Sequence, residues 1–140
     1  MKAIILAAGV SRRLYPLTYE IPKCLIEVGA KPILNHQLEA LQSSGITDII
    51  MVVGYYREAI MSHVQSQFPD INFEFVINHH YFETNTAYSL RLCNESVNGD
   101  PFVLMNADVL YPKEVLNRVI HSNHDTSLAV EIKPCGREEV

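Results

Sequence analysis

Lys2-Ala3-Ile4-Ile5-Leu6-Ala7-Ala8-Gly9-Val10-Ser11-Arg12-Arg13-Leu14 decides how the rest of the chain is read. Ala3 to Leu6 is an unbroken apolar run, the pattern of a strand buried on both faces. It runs into Ala7-Ala8-Gly9, where a glycine lets the backbone turn sharply and approach a ligand closely. Successive backbone N–H groups in such a turn can cradle phosphate oxygens. Arg12, Arg13 and Lys23 add three cations nearby. The arginine fork matches phosphate with two parallel hydrogen bonds, and a lysine gives a point contact where charge builds up in a transition state. Neither G-x-x-x-x-G-K-[ST] nor G-x-G-x-x-G occurs, which argues against a Walker-type loop and a dinucleotide dehydrogenase. On these residues alone, the glycine also reads as a plain turn and Arg12 as a solvated surface charge.

Working outward, Ser11 to Lys31 is long and polar, and Pro16, Pro22 and Pro32 forbid a continuous helix there. A loop of this length inside a compact domain is usually functional. Pro32 opens a helix with Leu34, Leu38 and Leu41 at helical spacing, stopped by Gly45. Asp48 to Val53 reads as a second buried strand, residues 57–67 as a helix with Ile60 and Val64 on one face, and Asn72 to Ile77 as a third strand. Thr86 to Asn94 reads as a short helix, Pro101 to Met105 as a fourth strand, Pro112 to Ser122 as a helix, and Ser127 to Ile132 as a fifth strand. This alternation predicts an α/β fold: a Rossmann-like three-layer αβα arrangement with a mostly parallel central sheet. Ligands of such sheets bind outside the carboxyl ends of the strands. The Gly9 loop and Asn106-Ala107-Asp108 both fall there.

The sequence has 140 residues, 48% apolar and 19% charged, which suits one domain with its own core. The net charge of −5 opposes a nucleic-acid partner bound by bulk electrostatics. No apolar run approaches the roughly 18 residues of a membrane span, and Ala3 to Val10 does not read as a signal peptide. Cys24, Cys93 and Cys135 are odd in number and widely spaced, the usage of a reduced, cytoplasmic protein.

Leu6-Ala7-Ala8-Gly9-x-x-x-Arg13-Leu14-x-Pro16-Leu17-Thr18, followed by Pro22-Lys23-Cys24-Leu25-Ile26-Glu27-Val28, resembles the sugar-phosphate nucleotidyltransferases. Within that superfamily, Thr84-Asn85-Thr86-Ala87-Tyr88-Ser89-Leu90 looks most like the bacterial choline-phosphate cytidylyltransferase branch and its aminoethylphosphonate relatives, and Asn106-Ala107-Asp108-Val109-Leu110 is similar to its metal-aspartate motif. Ser11 stands where the pattern has a second glycine, and Arg12 where it has a small hydroxyl residue. A positive φ at position 11 would cost a serine more than a glycine.

The resemblance implies the nucleotide-diphospho-sugar transferase type of fold. It implies nucleotide contacts from Leu6, Ala7, Ala8, Gly9, Val10, Ser11, Arg12, Arg13, Lys23, Asn78, Asn85 and Thr86. Arg13, Lys23 and Asp108 would act in the reaction, and Asp108 would ligate Mg²⁺. The implied chemistry moves CMP from CTP to a small phosphate or phosphonate acceptor. Read without the resemblance, Asp108 is also a turn former or helix cap, and Asn85 an N-cap. Residues 132–140 look like the middle of a family member, so residues 1–140 are expected to form the nucleotide-binding part without the acceptor-binding part. None of Glu131, Glu138 and Glu139 matches the family's other carboxylate ligand. A homodimer is allowed by the edge such a missing part leaves. Two rival readings stand: a hexose 1-phosphate nucleotidyltransferase, and a nucleotide-binding module without catalysis.

Overall fold

The computed structural model of the chain describes residues 1–11 and 14–132. Four strands, β1 (Lys2–Ala7), β2 (Asp48–Val53), β3 (Asn72–Ile77) and β4 (Phe102–Asn106), form a sheet in the order β3-β2-β1-β4. All pairings are parallel, with Ile4 opposite Ile50 on one side and Leu104 on the other. Five helices connect and flank them: α1 (Ile33–Ser43), α2 (Arg57–Gln67), α3 (Thr86–Leu92), α4 (Asn94–Val97) and α5 (Lys113–Ile120). The expected three-layer α/β architecture with a parallel sheet is what forms.

The side-chain alternation of the strands assigns the layers. Ala3, Ile5, Ile49, Met51, Val53, Val103 and Met105 face one side and pack on Leu34, Leu38 and Leu41 of α1, Ile60 and Val64 of α2, and Leu116 of α5. Ile4, Ile50 and Val52 face the other side and pack on Cys93 and Leu90. Right-handed crossovers dictate this split. The connections β1-α1-β2 and β2-α2-β3 step one way across the sheet, so their helices share a face. The chain then returns past β1 to β4, stepping the other way, so α3 and α4 lie opposite. Strand order therefore reverses between β1 and β4, and the crevice for a ligand opens at their carboxyl ends.

Two expectations need correction. The helix expected over Thr86 to Asn94 is broken at Cys93 into α3 and α4. The fifth strand, Ser127 to Ile132, does not form: the segment is irregular, with Leu128 84%, Val130 72% and Ile132 99% exposed. Its apolar alternation favours a strand, but a strand needs a ladder partner for its N–H and C=O groups. Among the described residues, β4 pairs only with β1.

Candidate active site

The loop after β1 is anchored before it is exposed. Ala7 and Ala8 are buried, Gly9 is exposed, and Val10 turns back into the core at 8% exposure. Val10 accordingly does not line the crevice, whereas Leu6, Ala7, Ala8, Gly9 and Ser11 do. Gly9 does not supply the left-handed turn; Ser11 does, at φ 55°. A Cβ added at Gly9 would meet nothing within 4 Å, so the glycine leaves open space beside the crevice. The left-handed region costs a serine of the order of 1 kcal/mol, and the surroundings over-determine it. The Ser11 carbonyl accepts from the Leu14 N–H at 3.0 Å and from the hydroxyl of fully buried Thr18 at 3.1 Å. Arg12 and Arg13 lie outside the described residues.

Across the crevice, Pro22 leads into a single tight turn, Lys23–Leu25, closed by the Leu25 N–H on the Pro22 carbonyl. Asp108 follows β4, whose ladder continues through the Ala107 N–H to the Leu6 carbonyl at 3.0 Å. These two turns bring Lys23 Nζ to 2.7 Å from Asp108 Oδ2, 85 residues apart in sequence. Both side chains are about one-third exposed, at 32% and 40%. Such a pair is worth at most about 1 kcal/mol, so it is readily exchanged for other partners. The helix-cap reading of Asp108 does not hold: α5 begins after Pro112 and has no side-chain cap.

Asp108 Oδ2 already faces a cation, the Lys23 ammonium, which shows that the position suits positive charge. Among the described residues there is no cluster of three His, Cys, Asp or Glu side chains. A single carboxylate fits Mg²⁺, which commonly takes one or two carboxylates and fills its shell with water and substrate phosphates. Glu131 is not part of the crevice, and Glu138 and Glu139 lie outside the described residues.

The third wall comes from the segment after β3. Asn78 is 1% exposed, and its amide is engaged within the protein. Nδ2 donates to Thr84 Oγ1 at 2.9 Å and Ser89 Oγ at 3.2 Å, while Oδ1 accepts from the His80 N–H at 2.9 Å. Asn78, expected as a nucleotide contact, thus lines the crevice while its amide struts the 80–89 loop. Asn85 is the N-cap of α3, its Oδ1 accepting from the Tyr88 N–H at 3.1 Å. Its Nδ2 keeps its hydrogens for another partner, so capping and ligand contact are compatible. Thr86 is exposed on the same wall. His79 and His80 are exposed outside it.

The lining also includes Tyr81, which the sequence did not single out, and Thr84, named there only within the 84–90 motif. The signal for Tyr81 lay in Gly54: a Cβ there would fall 2.8 Å from Tyr81 Cβ, near the backbone, where little can yield. Gly54→Ala is therefore expected to destabilise the chain by about 1–3 kcal/mol through overpacking, a drop in melting temperature of roughly 3–10 °C by calorimetry. Together the three walls enclose about 340 Å³. This is within the usual size range of small-molecule sites.

Cys24 lines the site with its thiol buried. Burial pushes its thiol up to about 12, with Asp108 nearby adding to the rise against a backbone hydrogen bond that lowers it. Burial and Glu74 push the Cys93 thiol up to about 11. Both are free and buried, so little thiolate forms at pH 8. Peptide mapping after iodoacetamide treatment at pH 8 is expected to leave both unmodified in the native chain and alkylated after denaturation.

A family model described as nucleotidyl transferase matches residues 2–139. The chain belongs to the nucleotidyl transferase family. It is 36% identical over 128 residues to a mannose-1-phosphate guanyltransferase beta-B from Xenopus laevis, covering 89% of this chain and 35% of that one. The solved CTP:phosphocholine cytidylyltransferase of Streptococcus pneumoniae is 39% identical, with a TM-score of 0.66 over 76% of this chain and 44% of that one. A putative glucose-1-phosphate thymidylyltransferase from Bacillus anthracis superposes with a TM-score of 0.77 at 30% identity, over 86% of this chain and 49% of that one. This nucleotidyl transferase chain thus spans about a third to a half of the length of these relatives. Among its described residues, no helix is long and apolar enough to cross a membrane.

Proposed function

We propose that this nucleotidyl transferase chain binds CTP and Mg²⁺ and transfers CMP to a small phosphate or phosphonate monoester. The observation that carries the reading is the meeting of Lys23 and Asp108 at 2.7 Å, opposite the Gly9 loop at the strand-order reversal. An acceptor oxygen attacks the α-phosphorus in line, the bond from that phosphorus to the α–β bridging oxygen breaks, and pyrophosphate leaves. The acceptor is already anionic, so no protein base is needed; positioning and electrostatics supply the catalysis.

Backbone N–H groups of the Ala8–Ser11 turn would hold phosphate oxygens, and Arg13 the β- and γ-phosphates. Lys23, released from Asp108, would neutralise charge at the α-phosphate or the acceptor. Mg²⁺ held by Asp108 would supply Lewis-acid polarisation of the phosphate oxygens. Asn85 Nδ2 and Thr86 would meet the base. The relatives are longer than this chain, and turnover is expected of a protein that carries an acceptor-binding part as well. The reading assigns the work to the cytoplasm, in keeping with free thiols at Cys24 and Cys93, and allows a homodimer.

The lean to CTP rests on the 84–90 segment and the pneumococcal relative. The Xenopus relative favours the second reading, a hexose 1-phosphate acceptor with another nucleotide. Pyrophosphate release from a panel of triphosphates and acceptors tests both. The expected result is turnover with CTP and phosphocholine or a phosphonate analogue, and none with GTP and mannose 1-phosphate. The reverse preference overturns the CTP reading.

A further inference from the structure

Gln37 lies in α1, outside the crevice, and is 2% exposed. Its Nε2 donates to the Asn106 carbonyl at 2.9 Å and to the Val109 carbonyl at 2.6 Å. These carbonyls bracket Ala107-Asp108, so both amide hydrogens are committed to one turn. The other end of the side chain, Oε1, is buried without a hydrogen-bond partner among the described residues. An orphaned buried carbonyl is unfavourable, and an apolar side chain of the same length would avoid it. The glutamine's compensating contribution is its double donation. Packing of α1 onto the sheet does not rest on it alone, since Leu34, Leu38 and Leu41 share one core with Val103 and Met105.

The geometry points to Gln37 as the positioning residue of the Asp108 turn: it fixes the backbone on both sides of Asp108 and so aims the carboxylate at Lys23 and the crevice. The role of that carboxylate as a metal ligand rests on the proposed function; the clamp itself does not. Gln37 reaches no reacting atom and acts through Asp108 alone.

Gln37→Met keeps the length and removes both donors. Two measurements on the full chain, beside wild type and Asp108→Ala, test the proposal. Hydrogen exchange is expected to be at least tenfold faster at amides 106–110 in Gln37→Met, with β1 and β2 unchanged. Mn²⁺ affinity in the presence of CTP, read by electron paramagnetic resonance, is expected to fall at least tenfold. CTP affinity in EDTA should stay as in wild type. Unchanged exchange at 106–110 overturns the clamp. Faster exchange with wild-type Mn²⁺ affinity, where Asp108→Ala loses that affinity, overturns its positioning role. Unchanged Mn²⁺ affinity in Asp108→Ala overturns the metal reading instead, and the clamp is then decided by exchange alone. Should Gln37→Met not fold, Gln37→Leu is read in the same way.

Discussion

Replacing Asp108 by alanine is expected to lower Mg²⁺-dependent turnover by at least about a thousandfold, some 4 kcal/mol of transition-state stabilisation. The size follows from the site's composition. Among the described residues, Asp108 is the single carboxylate lining the crevice. No second carboxylate among those described residues compensates for its loss. Fold and function should separate in this variant. The carboxylate is 40% exposed and its partner Lys23 is 32% exposed, so losing the pair costs the fold little. A melting temperature within about 3 °C of wild type is expected by calorimetry, with pyrophosphate release assayed on the same preparation. Normal turnover would contradict the metal assignment.

The second large effect belongs to Lys23. Lys23→Met keeps the aliphatic stem and removes the ammonium. That ammonium lies 2.7 Å from Asp108. In the reaction it would meet charge that grows as the α–β bond breaks. An interaction strengthened in the transition state is lost from kcat more than from KM. Steady-state kinetics is expected to show kcat reduced by about 10²–10³, the loss typical of one removed charge-stabilising donor, with KM for CTP changed by no more than a few-fold. An unchanged kcat with raised KM would make Lys23 a binding residue only. Asp108→Ala also frees Lys23, so the two substitutions should be non-additive.

Much of the fold was legible because the strands are buried on both faces. Ile4-Ile5 and Ile49-Ile50-Met51-Val52-Val53 carry no competing polar signal, and Pro32 and Gly45 bracket α1. The sequence misled where the local pattern lacked its tertiary partner. Leu128, Val130 and Ile132 alternate as a strand should, yet among the described residues no ladder receives them.

In the site, Lys23 and Asp108, both singled out in the sequence, meet as a pair. The buried polar residues behind them were not. Thr18 holds the Ser11 carbonyl, Asn78 holds the 80–89 loop, and Gln37 holds the Asp108 turn. Sequence offers Gln37 as one more polar residue on a helix. Only the fold shows that it points inward, at carbonyls 69 and 72 residues away. Asn78 was expected to contact the nucleotide; it lines the crevice, and its amide donates to Thr84 and Ser89 within the protein.

The central claim is that the crevice between the Gly9 loop and Asp108 holds a nucleoside triphosphate. A crystal structure with CTP and Mg²⁺ tests it most directly. The account predicts triphosphate oxygens on the backbone N–H groups of Ala8 to Ser11, the metal on Asp108, Lys23 turned from Asp108 to a phosphate, and the cytosine beside Asn85 and Thr86. A nucleotide bound elsewhere, or a triphosphate in the crevice with Lys23 and Asp108 still paired and no metal between carboxylate and phosphate, would contradict it.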